Sequence, residues 1–401
     1  MKRWIVVAFV FAISLAAFAQ SPSDKASSDF DTRLKQADTL YQLGRHIDAL
    51  PLYEELSKEK PGDPGILERY GMCVLAKSST VEDPEQSKQL RVQARQLLLR
   101  SRELGNTSQI SELANDIPAD GSVPAFSDHK DVETAMQAAE AAFAKGDYDN
   151  AIAGYEKALA LDPKNYSAAL FIGDMYFRKN DGDNAGVWFS QAIAIAPNEE
   201  TAYRYWGDAL MKQGKYEQAE AKFISAVIAN PYERKSWYGL VNWTNARNKQ
   251  IVFPRIVPPS KVEDTAKGAN ITIDSSSLSQ GKDNPAAAAW LVYPITHVNW
   301  KNEGRFQKQF PNEKTYRHSL AEEVDAFTMV LKVYDEVTAK KKPPQIDPQI
   351  AKLQELQKQG YLEAYILLNR ADDGIVQDYA AYREAHRAVL QDYLESCIVA
   401  K

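Results

Sequence analysis

Between Val132 and Arg234 the same pattern of small, aromatic and proline residues returns every 34 residues. Ala139, Gly173 and Gly207 hold one phase of the period, followed by Ala151, Ala185 and Ala219, then Tyr155, Phe189 and Phe223. Next come Ala158, Ala192 and Ala226, and each unit closes on Pro163, Pro197 or Pro231. A self-similar period of this length is the mark of a helix-turn-helix array.

The residue types explain the columns. Glycine or alanine lets the first helix of a unit lie close against the second, and the second helix answers with its own alanine. The aromatic residue fills the space between neighbouring units and dominates the local core, burying on the order of 150–250 Å². Proline lacks the N–H and clashes with the preceding turn, so each one marks a boundary. No unit buries its apolar face alone; stability comes from stacking, and the expected product is a curved solenoid.

The segments Lys145-Gly146-Asp147-Tyr148-Asp149-Asn150-Ala151-Ile152 and Gln213-Gly214-Lys215-Tyr216-Glu217-Gln218-Ala219 closely resemble the tetratricopeptide repeat family. The expected fold class is therefore all-α: a tetratricopeptide-type α-solenoid followed by a mostly helical C-terminal domain. The resemblance covers about half the chain, and no family is recognised for residues 250–401.

The chain has 401 residues, 44% hydrophobic and 25% charged, which is a globular composition with room for two domains. A net charge of −6 and a pI near 5.6 argue against nucleic acid as a partner, since phosphate backbones demand clustered Lys and Arg. Lys2 and Arg3 precede an apolar run from Trp4 to Leu15, and Ala17-Phe18-Ala19 offers small residues where a signal peptidase reads. Residues 1–19 are expected to be a signal peptide cleaved after Ala19, the alternative being an uncleaved anchor. The protein is then periplasmic or secreted, with no stable membrane span left after cleavage. Cys73 and Cys397 are too few for a disulfide scaffold and read as small buried hydrophobes, the alternative being a single long-range bridge between them in an oxidising compartment.

In chain order, residues 20–29 read as a disordered, Ser-rich lead. Two further repeat-like units are expected over 30–104, carried by Ala37, Gly44, Ala49, Tyr53 and Pro61 and then by Tyr70 and Gly71, with Leu56 in place of a small residue. Ser78 to Gln89 reads as an insertion before the second helix resumes near Ala94 and Leu98, either a contact loop or a tolerated lengthening. Residues 105–131 form a linker or irregular repeat. Three complete units and a capping helix around Trp237, Leu240 and Trp243 occupy 132–249. A Pro/Ser-rich linker over 250–284, with a short strand at Ala269–Ile273, leads to the helical domain at 285–401. Helices there are predicted through Leu320 to Val337, through Ile350 to Leu368 with Gly360 a weak point, and through Val376 to Cys397, bundled against the end of the solenoid.

Residues that carry chemistry are scarce. His318 and Glu322 share an i,i+4 spacing, with His297 earlier; lacking a third ligand at a supporting spacing, they read as a pair on a solvated face. His386, inside an aromatic stripe, reads as a packed core residue. No catalytic residue, metal site or cofactor is assigned. In a solenoid of the resembled kind the first helix of each unit faces the groove, and phase selects Phe177, Arg178, Arg204, Asp208, Lys212, Tyr238, Asn242 and Asn245, with Asp174 and Glu140 beside them. Donors, acceptors and aromatic rings together suit a protein or extended peptide. Some members of the family grip a chaperone's C-terminal carboxylate through Lys and Asn at the fifth and ninth positions; here Glu140, Asp174 and Asp208 would repel it and only Asn242 fits. The expectation is an exported scaffold that binds a protein partner in its groove, of undetermined oligomeric state. Alternatives are an enzyme whose C-terminal domain is catalytic while the array recruits substrate, and an envelope-complex subunit that oligomerises through the C-terminal bundle.

Overall fold

The computed structural model describes residues 22–81, 83–123, 125–265, 268–273, 285–302, 304–339 and 346–401. The predicted signal segment lies outside them. Among the described residues no helix is long and apolar enough to cross a membrane. The chain divides into two compact units, residues 1–125 and 126–401.

The first unit pairs α1 (Pro22–Gln42) with α2 (His46–Glu59) and α3 (Pro64–Ser78) with α4 (Pro84–Glu103). Helix α1 begins at Pro22, so most of the lead read as disordered is helical. Ala37, Ala49, Tyr53 and Leu56 are fully buried, so Leu56 fills the column that a small residue occupies elsewhere. Much of the apparent insertion after Ser78 is helical. Asp83 caps α4 by accepting from the Glu85 N–H at 3.1 Å, and the extra residues lengthen α4 to 20 residues. Its exposed turns are covered by what sequence marked as linker: Arg91 donates to the Gly121 carbonyl at 2.5 Å and Arg95 to that of Ile117 at 3.1 Å. That segment holds two short helical turns, Gln109–Glu112 (α5) and Leu113–Asn115.

The second unit opens with the periodic array: α6 (Lys130–Ala144), α7 (Tyr148–Leu161), α8 (Tyr166–Arg178), α9 (Gly182–Ile195), α10 (Glu200–Lys212), α11 (Tyr216–Ala229) and α12 (Arg234–Ala246). Every alanine and aromatic residue of the columns is buried. An added Cβ at Gly173 would stand 2.6 Å from the Phe189 ring. Phe223 is clamped on both sides, because a Cβ at Gly207 or Gly239 would come within 2.4 or 2.1 Å of it. The aromatic column thus packs within its own unit as well as across to the next, as Phe189 does against Tyr205 at 6.2 Å. The turn after the first helix of each unit needs a left-handed residue, and the period supplies one: Gly146, Asn180, Gly214 and, after α12, Asn248 have φ of 75°, 63°, 72° and 54°. Glycine and asparagine adopt this conformation at least cost.

The remainder is not a separate domain behind a linker. Strand β1 (Lys249–Ile251) pairs antiparallel with β4 (Ile398–Ala400), in register Lys249 to Ala400. Between them Phe253 stacks on Tyr393 at 6.5 Å and meets Trp237 edge-on, and Ile256 is buried. A hairpin of β2 (Ser260–Thr265) and β3 (Gly268–Ile273) takes up much of the supposed linker, including the predicted strand at 269–273. Helices α13 (Pro285–Asn302), α14 (Arg305–Gln309), α15 (Leu320–Thr338), α16 (Pro348–Gln359), α17 (Leu362–Asn369) and α18 (Tyr379–Ser396) follow. Gly360, at φ 73°, splits the second predicted helix into α16 and α17.

One apolar core runs from Phe223, Ile224, Val227 and Leu240 of the last repeats through Trp290, Phe327, Tyr365 and Leu394. The array is therefore capped by C-terminal helices rather than by α12 alone. Helix α18 runs along the turns between units: Tyr379 donates to the Ile228 carbonyl at 2.7 Å, Arg383 to that of Ala229, and Arg387 to Asn198 at 2.8 Å. His386 is exposed and stacked on Tyr382 at 4.3 Å, not packed in the core, because α18 kinks there. Cys73 and Cys397 are both buried and free.

Candidate functional site

Two places concentrate exposed or buried polar chemistry: the wall formed by the first helices of the repeats, and a histidine–carboxylate cluster at the start of α15. In the array, α8 approaches α10 and α10 approaches α12 more closely than the second helices approach one another, so the first helices line the tighter side.

On that wall Phe177, Arg204 and Tyr238 are half-buried, while Arg178, Asp208, Lys212, Asn242 and Asn245 are exposed. Neighbouring units meet where the Lys212 ammonium sits 5.0 Å from the centre of the Phe177 ring. Several members are already engaged. Arg204 grips Glu200 with two hydrogen bonds of 2.9 and 3.1 Å and lies over Tyr205. Arg178 is held by Asp174 at 2.8 Å. Asn245 accepts from the Lys401 ammonium at 3.0 Å, so the chain's last residue occupies one end of the predicted row.

The acidic ninth positions follow a rule that sequence reasoning missed. Where the aromatic column holds tyrosine, the acid accepts from its hydroxyl: Tyr155 to Glu140 at 2.6 Å, and Tyr53 to Asp38, also at 2.6 Å, in the first unit. Where the column holds phenylalanine no hydroxyl is available. Asp174 then turns to Arg178, and Asp208 stays open to the wall.

Asp208 has solvent in front and protein on its other sides. Desolvation pushes its carboxyl up to about 6, against the pull of Arg204 and with a push from Glu200. The ordinary aspartate value is about 3.9, so the unfolded chain ionises first as pH rises. Between about pH 4 and 6 the folded state therefore holds more protons and loses stability as pH increases. Thermal melts across that window are expected to fall more steeply for the natural chain than for Asp208→Asn, with the variant gaining at pH 7 and not at pH 4.

The second place lies between α13 and the residues entering α15. His297 Nδ1 is 2.7 Å from Glu322 Oε1, and its Nε2 is 3.3 Å from Glu323 Oε2. His318 Nδ1 is 2.7 Å from Asp372 Oδ2, and its Nε2 is likewise 3.3 Å from Glu323 Oε2. The two rings are 5.0 Å apart. Arg370 donates to Glu323 Oε1 at 3.0 Å, Tyr293 donates to both Glu323 oxygens, and Tyr316 donates to both Glu322 oxygens.

These contacts correct the sequence reading. Glu322 is fully buried rather than on a solvated face, and His318 pairs with Asp372 and Glu323 instead. The i,i+4 rule fails because α15 starts at Leu320 with Ser319 as its cap, so His318 stands outside the helix. Burial opposes charge on His297, yet hydrogen bonds to Glu322 and Glu323 outweigh it and push the imidazole up to about 9. Burial opposes charge on His318 as well, but the charge of the nearby Glu323 carboxylate and the hydrogen bond to Asp372 raise it. Burial acts against Glu323 too, but His297, His318 and Arg370 hold its carboxyl well below the usual range.

A cavity of ≈ 460 Å³ opens on the cluster, lined among others by Ser260, His297, Tyr316, His318, Glu322 and Asp372. Another of ≈ 440 Å³, lined by α9, α11 and the Trp206 and Leu210 side of α10, shares no residue with the predicted row.

The sequence profile of the tetratricopeptide repeat family matches residues 136–200 and 206–242. The array is of the tetratricopeptide type. The match falls on the helices that build the wall and leaves the histidine–carboxylate cluster outside it. Among solved structures, the first tetratricopeptide domain of Spaghetti (RPAP3), bound to the HSP90 peptide SRMEEVD, is 23% identical, covers 30% of this chain and 98% of its own, and has a TM-score of 0.28. The Arabidopsis OM64 tetratricopeptide domain is 18% identical, over 29% of this chain and 97% of its own, with a TM-score of 0.28. The MamA protein is 19% identical, over 51% and 94%, with a TM-score of 0.25. No protein of curated function matches the sequence.

Proposed function

We propose that the chain is an interaction scaffold that holds an extended segment of a partner protein along the wall of α8, α10 and α12. The observation that carries this is the row of exposed Lys212, Asp208 and Asn242 beside half-buried Phe177, Arg204 and Tyr238, on helices whose opposite faces are fully used in packing. An extended peptide offers a backbone donor and acceptor at each residue, and this row presents both kinds together with aromatic surface. The Asn245 end is closed by Lys401, so the working stretch runs from Phe177 to Asn242. The basic run, apolar stretch and small residues before Gln20 support export with cleavage after Ala19, placing the scaffold in the periplasm or outside the cell; an intact mass beginning at Gln20 checks this.

The binding test is selection of ligands from a displayed peptide library with the full chain, followed by calorimetry. Tyr238→Ala and Asp208→Lys are each expected to weaken the selected ligands by about tenfold or more, since a few central anchors carry most of such an interface. Val187→Asp, at an exposed site on α9, is expected to leave affinity unchanged. Loss through Val187→Asp alone would refute the assignment.

A further inference from the structure

We propose that His297 and His318, with a carboxylate oxygen of the adjacent Glu322–Glu323 pair, form a binding site for a divalent first-row transition-metal ion whose free coordination positions face the cavity lined by Ser260.

The first observation is directional. Both Nε2 atoms lie 3.3 Å from one oxygen, Oε2 of Glu323. Ligands about 2.0–2.1 Å from a tetrahedral ion stand roughly 3.3–3.4 Å from each other, so this spacing is the edge of such a tetrahedron. At the same distance His318 Nε2 makes no hydrogen bond, although it is shielded from solvent. Its approach to the carboxylate has the length but not the angle of a hydrogen bond, as expected of two atoms aimed at a common point. One ligand atom each from His297, His318 and Glu322 also falls within 4.8 Å of the others.

The second observation is what stands behind the rings. Metal-binding histidines almost always give their other ring nitrogen to a carboxylate or carbonyl, which fixes the tautomer and aims the ring. Here both do so at 2.7 Å, His297 to Glu322 and His318 to Asp372. Asp372 is positioned in turn by the backbone N–H groups of Gly374 and Ile375, at 3.1 and 2.9 Å. Glu323 is fixed through Oε1 by Arg370, and Oε2, which also accepts from the Tyr293 hydroxyl at 2.9 Å, faces the histidines.

The third is the open side. Ser260 Oγ, which lines the same cavity, is shielded from solvent and has no hydrogen-bond partner, so a second polar atom faces this space unsatisfied. Mixed imidazole and carboxylate donors suit zinc, iron, cobalt or manganese. Three protein ligands and an open position are the pattern of sites that act on a bound molecule rather than merely brace a fold.

The test uses the full chain, stripped with a chelator and titrated with Zn²⁺ by calorimetry, with bound metal counted by mass spectrometry after dialysis. One equivalent per chain is expected. His297→Ala and His318→Ala should each abolish stoichiometric binding, while His386→Ala should keep it. Asp372→Asn, at a half-exposed side chain, is expected to fold and bind about 10- to 100-fold more weakly. Glu323→Gln should weaken binding more than Glu322→Gln if Oε2 is the third ligand. Absence of stoichiometric binding by the natural chain, or binding undiminished in a folded His297→Ala/His318→Ala double variant, would overturn the proposal.

Discussion

Cutting the chain after Asn248 is expected to leave repeats that no longer fold cooperatively. The lost segment covers Phe223, Ile224, Val227, Ile228, Leu240 and Trp243, all buried in the shared core. Exposing side chains of this size costs about 1.5–3 kcal/mol each, so the six together cost about 9–18 kcal/mol, as much as the 5–15 kcal/mol by which domains are typically stable. The cut also removes the hydrogen bonds that Tyr379 and Arg383 make to the carbonyls of Ile228 and Ala229. Size-exclusion chromatography and urea unfolding of the chain ending at Asn248 should show association and a broad transition. A monomer with a sharp transition would mean that the C-terminal helices are an appendage rather than the cap of the array.

Phe223→Ala is expected to be the most damaging single substitution in the repeats, at about 3–5 kcal/mol. Phe223 is 1% exposed and lies between Gly207 and Gly239. Both glycines lack the side chain that would fill the vacated space, so the site cannot close by rotamer changes there. Because the ring belongs to the core that reaches Leu394, repeats and C-terminal helices should melt together at a lower temperature. Phe189→Ala, whose own core cluster does not extend into the C-terminal helices, should lower stability without singling out α18. Hydrogen exchange in α18, faster for Phe223→Ala than for Phe189→Ala, checks the distinction.

What was legible in the sequence followed from local constraint. Gly173 and Phe189 lie 16 positions apart and touch because a helix, a tight turn and a second helix bring them together; the period repeats that geometry and the pattern shows it. The left-handed turn residues at Gly146, Asn180, Gly214 and Asn248 obey the same period. Asn180 and Asn248 hide it from a search for glycine alone.

The C-terminal part was opaque because its decisive contacts are distant in sequence. His318 meets Asp372 54 positions away, and Tyr379 reaches Ile228 across 151. Spacing within one segment, such as His318 to Glu322, suggested a pair that the helix cap at Ser319 prevents. A clue was present in Glu322-Glu323 between Leu320 and Val324. Glu323 stands three residues after Leu320 and four before Phe327, on the apolar stripe of the helix, and a buried acid demands partners. On the wall, phase identified the row of side chains but not their existing engagements, as with Arg204 on Glu200 and Asn245 on Lys401.

The central claim is that the first helices of the array are the working surface. Hydrogen exchange of the full chain with and without a selected peptide tests it most directly. The account predicts slowed exchange confined to α8, α10 and α12, from Phe177 to Asn242. Protection centred on α9 and α11, with those three helices unchanged, would contradict it.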